Sequence, residues 1–561
     1  MNGRSMPEVL KLAEAEMDRQ QYEQVVSLLA PFTNPGTPRL LRVHAQALCR
    51  LGRPLEGVDA LMKALALRID DADTHLQLGF ALETLQMTGE AAECFRTVVA
   101  LRPDDLIGLA YLAHGERRGV RWENAEANNA DLLRALRAKP DDTEDEFGVP
   151  FALVGQPHHP SDMLKAARLS TRYLTRRAVA MPPRQARARK KLRIGYLSAD
   201  FHSHATVALM VEVLESRDRE RFEVLLFSHG RKDDSPMRRR VEQACDRFIE
   251  VGELDLAGIA RRVRAEEVDI LVDLKGHTAD SRSAALAFRP APVQVAWLGF
   301  PGTCGADFID YIIGDAIVTP LEDAPYYTEH IAQMPACYQP NDNSRERLAP
   351  PSRAELGLPD DALVLLSANQ VYKLSPALFD IWMEILRRVP KAVLWQLTGG
   401  EQADARLREQ ARLRGVDPAR LIFAPQCDMP THWRRIAAAD FALDTWPCNG
   451  HTTTSDCLSA GVPVVTLKDQ GFASRVAASI LATAGLPELV CESAEQYVEL
   501  AFALAADPAR LAALRGRLEE RPPALFDSQR FARELEALYQ RMWERAVAGL
   551  PPAALPAQIL S

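Results

Sequence analysis

Between residues 440 and 467 the chain reads D-F-A-L-D-T-W-P-C-N-G-H-T-T-T-S-D-C-L-S-A-G-V-P-V-V-T-L, where hydroxyls, an imidazole and a carboxylate follow a short apolar run. The run 441–443 predicts a buried strand and 446–450 a turn-rich loop. A helix then opens near 451–454 and stops at Gly461, before a second strand over 462–467. The first turn of a helix carries backbone N–H groups without intrahelical partners, at the positive end of the helix dipole. With His451, Thr452, Thr453 and Thr454 around them, those groups make a seat for phosphate. Asp456, two residues beyond the threonines, is within reach of a sugar hydroxyl if a nucleotide sits there. A plain Thr-capped helix in an α/β sheet accounts for the same letters.

Three further segments carry comparable chemistry. After a strand over 192–197, S-A-D-F-H-S-H-A-T places His202, His204 and Thr206 in a strand-to-helix loop. Imidazoles two residues apart do not share a helical face, which argues against a metal pair. One of them can serve as a base toward a substrate hydroxyl, or simply cap the helix. After a strand over 363–367, A-N-Q-V-Y-K-L-S-P sets Lys373 just before Ser375-Pro376, an N-cap with proline at the first helical position. An ammonium there can neutralise a departing diphosphate, and a surface lysine fits equally well. After a strand over 421–423, C-D-M-P-T-H-W-R-R puts His432 and Arg435 on one helical turn, spaced to meet a planar base or a phosphate together. All four segments follow strands, and all offer cationic or hydroxyl groups suited to a nucleotide diphosphate. The chain has neither a Walker-type phosphate loop nor a dinucleotide-binding glycine fingerprint after a strand, which argues against a P-loop NTPase or a nicotinamide-dependent dehydrogenase.

The elements that must position these groups can be read from the rest of the chain. At 561 residues it is too long for one core. A net charge of −9 argues against a general nucleic-acid or anionic-membrane binder. With no apolar leader at the N-terminus and no long uncharged apolar run, the expectation is a cytoplasmic protein without a membrane span. Nine scattered cysteines, with no C-x-x-C pair and no Cys/His cluster at zinc spacing, suggest neither a disulfide framework nor a structural metal. Leu67 and Leu101, Leu61 and Phe95, and Asp70 and Asp104 are each 34 residues apart. That period, with two amphipathic helices per unit, looks like tetratricopeptide repeats, and a degenerate earlier unit fits around 13–30. Stacked units would leave a concave face for a peptide or a partner.

Past a basic tract at 184–191, expected to be a solvated linker, strands and helices alternate. Strands are expected at 192–197, 222–227, 268–274, 293–298 and 311–313. A Pro/Asn-rich boundary follows near 338–352, then a second series at 363–367, 392–397, 421–423, 441–443 and 462–467. Two such arrays imply two doubly wound parallel sheets facing each other, with ligands beyond the C-terminal strand ends. A last helix near 528–548 should pack across the domains, and the residues after it read as a loose tail.

Taken together, the repeats, R-I-G-Y-L-S-A-D-F-H-S-H-A-T, R-P-A-P-V-Q-V-A-W-L-G-F-P-G-T, N-Q-V-Y-K, C-N-G-H-T-T-T-S-D and A-S-R-V-A-A-S resemble the O-linked N-acetylglucosamine transferase family in a bacterial form. The resemblance implies an α/β chain with an all-α N-terminal part: tetratricopeptide-repeat helices, then a GT-B fold of two facing Rossmann-like domains. The expected division is repeats over 1–115, a helical linker region over 116–190, Rossmann-like domains over 191–345 and 346–525, and a terminal helix and tail over 526–561. It also implies a UDP-sugar donor, inversion at the anomeric carbon, no cofactor, no metal requirement and a protein or peptide acceptor, with the repeat groove as a possible seat.

Matched position by position, His204 falls on the family's active-site histidine, with Thr206 beside it, and His158 of P-H-H-P on the second. Gln370 and Lys373 fall on donor-phosphate contacts, His432 and Arg435 around the uracil. Cys448, His451, Thr452 and Thr453 match the diphosphate loop, Asp456 the ribose contact, and Leu298 and Gly299 the sugar-side wall. Met429 stands where the family has a lysine three residues before the uracil-stacking histidine, which puts one ribose contact in doubt. The implied function is transfer of N-acetylglucosamine from UDP to Ser/Thr hydroxyls of protein. A UDP-hexose transferase acting on Asn or a small glycan, and a repeat-based adaptor with an inactive transferase half, are the alternatives.

Overall fold

The computed structural model describes residues 5–19, 21–34, 36–345, 349–519 and 523–559. It forms two compact units, Met1–Lys139 and Pro140–Ser561.

The first unit is all-helical. Its helices Pro38–Arg50, Ala72–Thr84 and Leu106–Arg118 begin 34 residues apart, as do Pro54–Leu67 and Thr88–Leu101. Leu61, Leu78, Phe95 and Leu112, one or two from each successive pair, meet in a shared core. Asp105 accepts the Gly108 amide at 2.8 Å and caps the next helix. Helix Ala125–Ala138 belongs to this unit. That helix packs on Leu106–Arg118, so the compact helical unit ends at Lys139.

In the second unit a seven-stranded sheet contains β1 (Leu192–Ser198), β2 (Phe222–Ser228), β3 (Arg247–Glu250), β4 (Ile270–Asp273), β5 (Val293–Ala296), β6 (Tyr311–Asp315) and β7 (His330–Met334). Its order is β3-β2-β1-β4-β5-β6-β7 and every pairing is parallel. A six-stranded sheet contains β8 (Leu363–Ser367), β9 (Ala392–Leu397), β10 (Leu421–Ala424), β11 (Phe441–Leu443), β12 (Val464–Leu467) and β13 (Val490–Cys491), ordered β10-β9-β8-β11-β12-β13 and again parallel. Strands β4, β5, β6 and β9 are buried along their whole length, as strands covered by helices on both faces must be. Sequence reading does not find β3, β7 and β13. R-F-I-E and H-I-A-Q-M carry polar residues at sheet edges, and V-C is only two residues long.

The strand order, not the strand direction, reverses between β1 and β4 in the first sheet and between β8 and β11 in the second. Such switch points open a crevice beyond the strand ends, where doubly wound sheets bind ligands. Bonds between the lobes hold these ends opposite each other. Gln339 Nε2 donates to Ser455 Oγ at 2.8 Å, Ser479 Oγ to Asp315 at 2.6 Å, and Arg475 pairs with Asp323 at 2.6 Å. The helix Ser528–Val547 returns to the first lobe, where Phe531 stacks on Trp297 and the Tyr539 and Tyr196 hydroxyls lie 3.1 Å apart.

Two expectations are corrected. As far as residue 559 the segment after that helix is not loose: the Leu555 amide donates to Ile331 O and its carbonyl accepts from the Gln333 amide, both at 2.9 Å, covering the edge of β7. The basic tract is not merely solvated either, since Arg184 and Arg189 both pair with the fully buried Asp269. Among the described residues no helix is long and apolar enough to cross a membrane.

Candidate active site

At the second lobe's switch point Lys373 comes from the turn after β8 and the 444–453 loop from the end of β11. Lys373 Nζ donates to Asn449 O at 2.7 Å and to Asn369 Oδ1 at 3.4 Å. Burial pulls its pKa down, but Cys448, Tyr372 and Asp444 nearby more than offset this, and the net shift is upward. The amine is therefore a fixed cation. Asp444, which the sequence reading quotes but assigns no role, organises the loop. Its Oδ1 accepts the amides of Gly450 at 2.6 Å and Thr445 at 2.9 Å, and its Oδ2 accepts the Thr466 hydroxyl at 2.7 Å. Burial pushes its pKa up to about 6.

The helix Thr452–Ser459 opens as the sequence predicts, and no side chain caps it. Among the described residues the amides of Thr452, Thr453 and Thr454 have no backbone acceptor. Thr454 turns inward and donates to Gly450 O at 2.7 Å, so two of the three hydroxyls remain for a ligand. His451 is neutral: burial, with Lys373 beside it, lowers its pKa to about 3. Its Nε2 lies 3.4 Å from Ala473 O.

His432 and Arg435 sit on the helix Met429–Ile436, packed beside Thr452–Ser459. They do not reach outward together as the spacing suggested. Arg435 is buried and donates from Nη2 to His432 Nδ1 at 3.1 Å and from Nη1 to Pro425 O, which fixes the plane of the imidazole. Burial, with Arg435 adding to it, lowers the His432 pKa to about 4, so a neutral ring is presented. Gln370 is exposed at the start of the Lys373 turn.

The first lobe fills its switch point with an ion pair that sequence reading missed. Lys275, beyond β4, donates to both oxygens of Asp200, beyond β1, at 2.9 Å each. Both side chains are less than a tenth exposed. Thr206 Oγ1 contacts Asp200 at 3.4 Å, and His204 Nδ1 lies 3.6 Å from the same carboxylate. His204 is the N-cap of helix Ala205–Glu215, its Nδ1 accepting the Thr206 amide at 3.2 Å. After β5, Leu298 holds φ +71°, a left-handed conformation that is costly for a bulky residue and clusters at functional sites. A Cβ on Gly299 would lie 1.9 Å from Leu274 O, so only glycine fits there.

Residues 170–346 and 341–535 match glycosyl transferase family 41. The chain belongs to this family. It is 33% identical over 454 residues to a probable UDP-N-acetylglucosamine--peptide N-acetylglucosaminyltransferase SEC of Arabidopsis thaliana, covering 77% of this chain and 46% of the relative. Against the UDP-N-acetylglucosamine--peptide N-acetylglucosaminyltransferase of Caenorhabditis elegans it is 30% identical over 477 residues, covering 64% and 41%. The chain thus spans about half the length of these curated relatives. Among solved structures, a mutant O-GlcNAc transferase of Thermobaculum terrenum superposes with a TM-score of 0.76 at 30% identity, over 91% of this chain and 98% of that one. The helical N-terminal part followed by two facing Rossmann-like lobes is the fold expected of the resemblance.

In this family 41 chain the two histidines singled out for catalysis are held in opposite tautomers. His158 Nδ1 faces Gln156 O at 2.8 Å; a carbonyl only accepts, so Nδ1 carries the hydrogen and Nε2 the lone pair. His204 Nδ1 accepts an amide, so its hydrogen is on Nε2. Burial lowers the pKa of both rings, most of all among the contributing effects. His158 lines a cavity of about 120 Å³ between the lobes, with Pro301, Tyr326, Phe472 and Ala473. Asp456, placed one helical turn from Thr452, is buried and ion-paired with Arg345 at 2.6 Å.

Proposed function

We propose that this chain is an inverting glycosyltransferase that moves N-acetylglucosamine from UDP to Ser or Thr hydroxyls of protein. The observation that carries the reading is the second lobe's switch point. There a lysine held by the oxygens of Asn449 and Asn369 stands beside an uncapped helix start, with no carboxylate paired to it among the described residues. That pairing suits a diphosphate, because ammonium and amide dipoles both oppose its negative charge. The names of the relatives support the donor and the peptide acceptor.

In the proposed reaction the acceptor oxygen bonds to the anomeric carbon on the face opposite UDP as the carbon–oxygen bond to the β-phosphate breaks. Lys373 and the amides of Thr452 and Thr453 take up the charge that develops on the diphosphate. The flat neutral ring of His432 meets the uracil, and Asp456 the ribose. The backbone at Leu298 and Gly299 walls the sugar, and Gln370 and Cys448 border the phosphates. We assign the acceptor's proton to His158 Nε2, which presents a lone pair. His204, which presents N–H, instead donates to the acceptor or the sugar. Fixing these groups beforehand in a narrow crevice supplies most of the rate.

Charge compensation by Lys373 and the helix start leaves no part for a metal or other cofactor. The free cysteines suit a reducing cytoplasm. A peptide acceptor docking along the helical repeats completes the reading. The test is a panel of UDP-sugars incubated with the full chain and lysate proteins, with and without EDTA, read by mass spectrometry. A mass gain of one N-acetylhexosamine on Ser or Thr, unchanged by EDTA, is expected. Transfer of hexose alone, of nothing, or only with metal would overturn it.

A further inference from the structure

Arg345 lies in the segment joining the lobes and is almost fully enclosed. Its Nη1 donates to Asp456 Oδ1 at 2.6 Å, its Nη2 to Ala208 O in helix Ala205–Glu215 at 2.7 Å, and its guanidinium carbon stands 4.2 Å over the Trp433 ring. Trp433 in turn hydrogen-bonds the Asp456 carboxylate. One planar cation therefore ties the first lobe, the inter-lobe segment and the second-lobe helices Met429–Ile436 and Thr452–Ser459 to a single carboxylate.

Thr452 and Asp456 are four residues apart on one helix, so they share a face about 6 Å apart along its axis. A diphosphate seated at Thr452 would bring the attached ribose to Asp456. A carboxylate buried there alone would be driven toward its neutral form: burial raises the Asp456 pKa, and Arg345 is the largest influence opposing that rise. The guanidinium occupies Oδ1 and fixes the rotamer. With Trp433 also on the carboxylate, the lone pairs that remain are held in a fixed direction and can accept from a hydroxyl.

Resting on the UDP reading above, we propose that Arg345 is a positioning residue for ribose recognition. It holds Asp456 ionised and oriented so that the carboxylate accepts from the ribose hydroxyls, and through Ala208 O it makes this contact depend on how the first lobe is seated.

The experiment is calorimetry of the full chain with UDP and with 2′,3′-dideoxy-UDP, comparing wild type, Arg345→Gln and Arg345→Lys. Wild type should favour UDP by about tenfold or more, the size of one well-made hydrogen bond to a charged group. Arg345→Gln should weaken UDP about tenfold and leave the dideoxy analogue nearly unchanged, collapsing the preference. Arg345→Lys, which keeps charge but not the planar two-armed grip, should fall between. A wild type that binds both ligands equally, or an Arg345→Gln variant that weakens both equally or neither, overturns the inference. A wild type that binds neither overturns the UDP reading itself, a different result from the other three. A Gln variant that fails to fold leaves the Lys variant to decide by the same preference ratio.

Discussion

Each lobe carries one lysine beyond the strands that flank its switch point, and the two are used in opposite ways. Lys275 in the first lobe is clamped between both oxygens of Asp200, so its charge is cancelled within the protein. Lys373 in the second lobe hydrogen-bonds to the oxygens of Asn449 and Asn369, and among the described residues no carboxylate pairs with it. The topology is the same on both sides, so the sheet alone does not decide which lysine meets an anion. What decides it is whether the second flanking strand delivers a carboxylate or a carbonyl. Asp444 could have cancelled Lys373, but its oxygens are taken by Gly450, Thr445 and Thr466.

The sharpest way to break this comparison is to remove each lysine in turn. Lys373→Ala should lower transfer by about a thousandfold, the scale of losing a main transition-state cation, with an unfolding midpoint near wild type. Turnover that stays within tenfold of wild type would end the comparison. Lys275→Met should do the reverse and strand Asp200 without its partner, at a cost of about 3 kcal/mol in urea unfolding. Unaltered stability there would mean that the ion pair is not what fills the first crevice.

Acidification probes both lobes together. His229 and His277 in the first lobe, and His432 and His451 in the second, are held neutral by burial, with pKa values of about 3 to 4. Their folded values lie below the unfolded value of about 6.5, so the stability they contribute is complete above that pH and is lost as pH falls toward 4 and 3. Asp444 has the opposite sign. Raised to about 6 from about 4, it stabilises below pH 4 and loses that contribution as pH rises through 6. Each of these histidines therefore tends to lower the urea midpoint as pH falls from 7 to 5, against Asp444 and other buried carboxylates that burial shifts upward, such as Asp273 and Glu329. His432→Gln should flatten that slope by up to one proton.

A smaller effect separates base from donor. His204→Asn keeps an N-cap acceptor for the Thr206 amide but loses the Nε2 hydrogen, so stability should hold while the rate falls about tenfold. Loss of the acidic limb of the pH–rate profile in that variant would instead make His204 the base. Smallest of all, Leu298→Gly relieves a left-handed backbone worth about 1 kcal/mol and forfeits a half-buried side chain, so the midpoint should barely move.

Much of this was legible in the chain because it is local. The 34-residue spacing, the strand-to-helix loops carrying Lys373 and His204, and the helix opening at Thr452 all follow from periodicity, caps and turns within a dozen residues. What stayed hidden depends on partners far away. Asp200 and Lys275 are 75 residues apart, and Arg345 finds Asp456 across 111, with nothing in either neighbourhood to announce the pairing. Arg435 was visible as a cation, but only packing reveals that its guanidinium holds the His432 ring. The tail looked loose because its hydrogen bonds go to β7, a polar edge strand that itself escaped notice.

The return of helix Ser528–Val547 to the first lobe has a consequence for synthesis. Tyr539 closes on Tyr196 across 343 residues, and Phe531 covers Trp297. During translation the N-terminal lobe emerges first yet cannot finish its own core. It must wait, partly uncovered, until the helix that follows the second lobe has been made, so the first sheet is sealed by a helix encoded beyond the second.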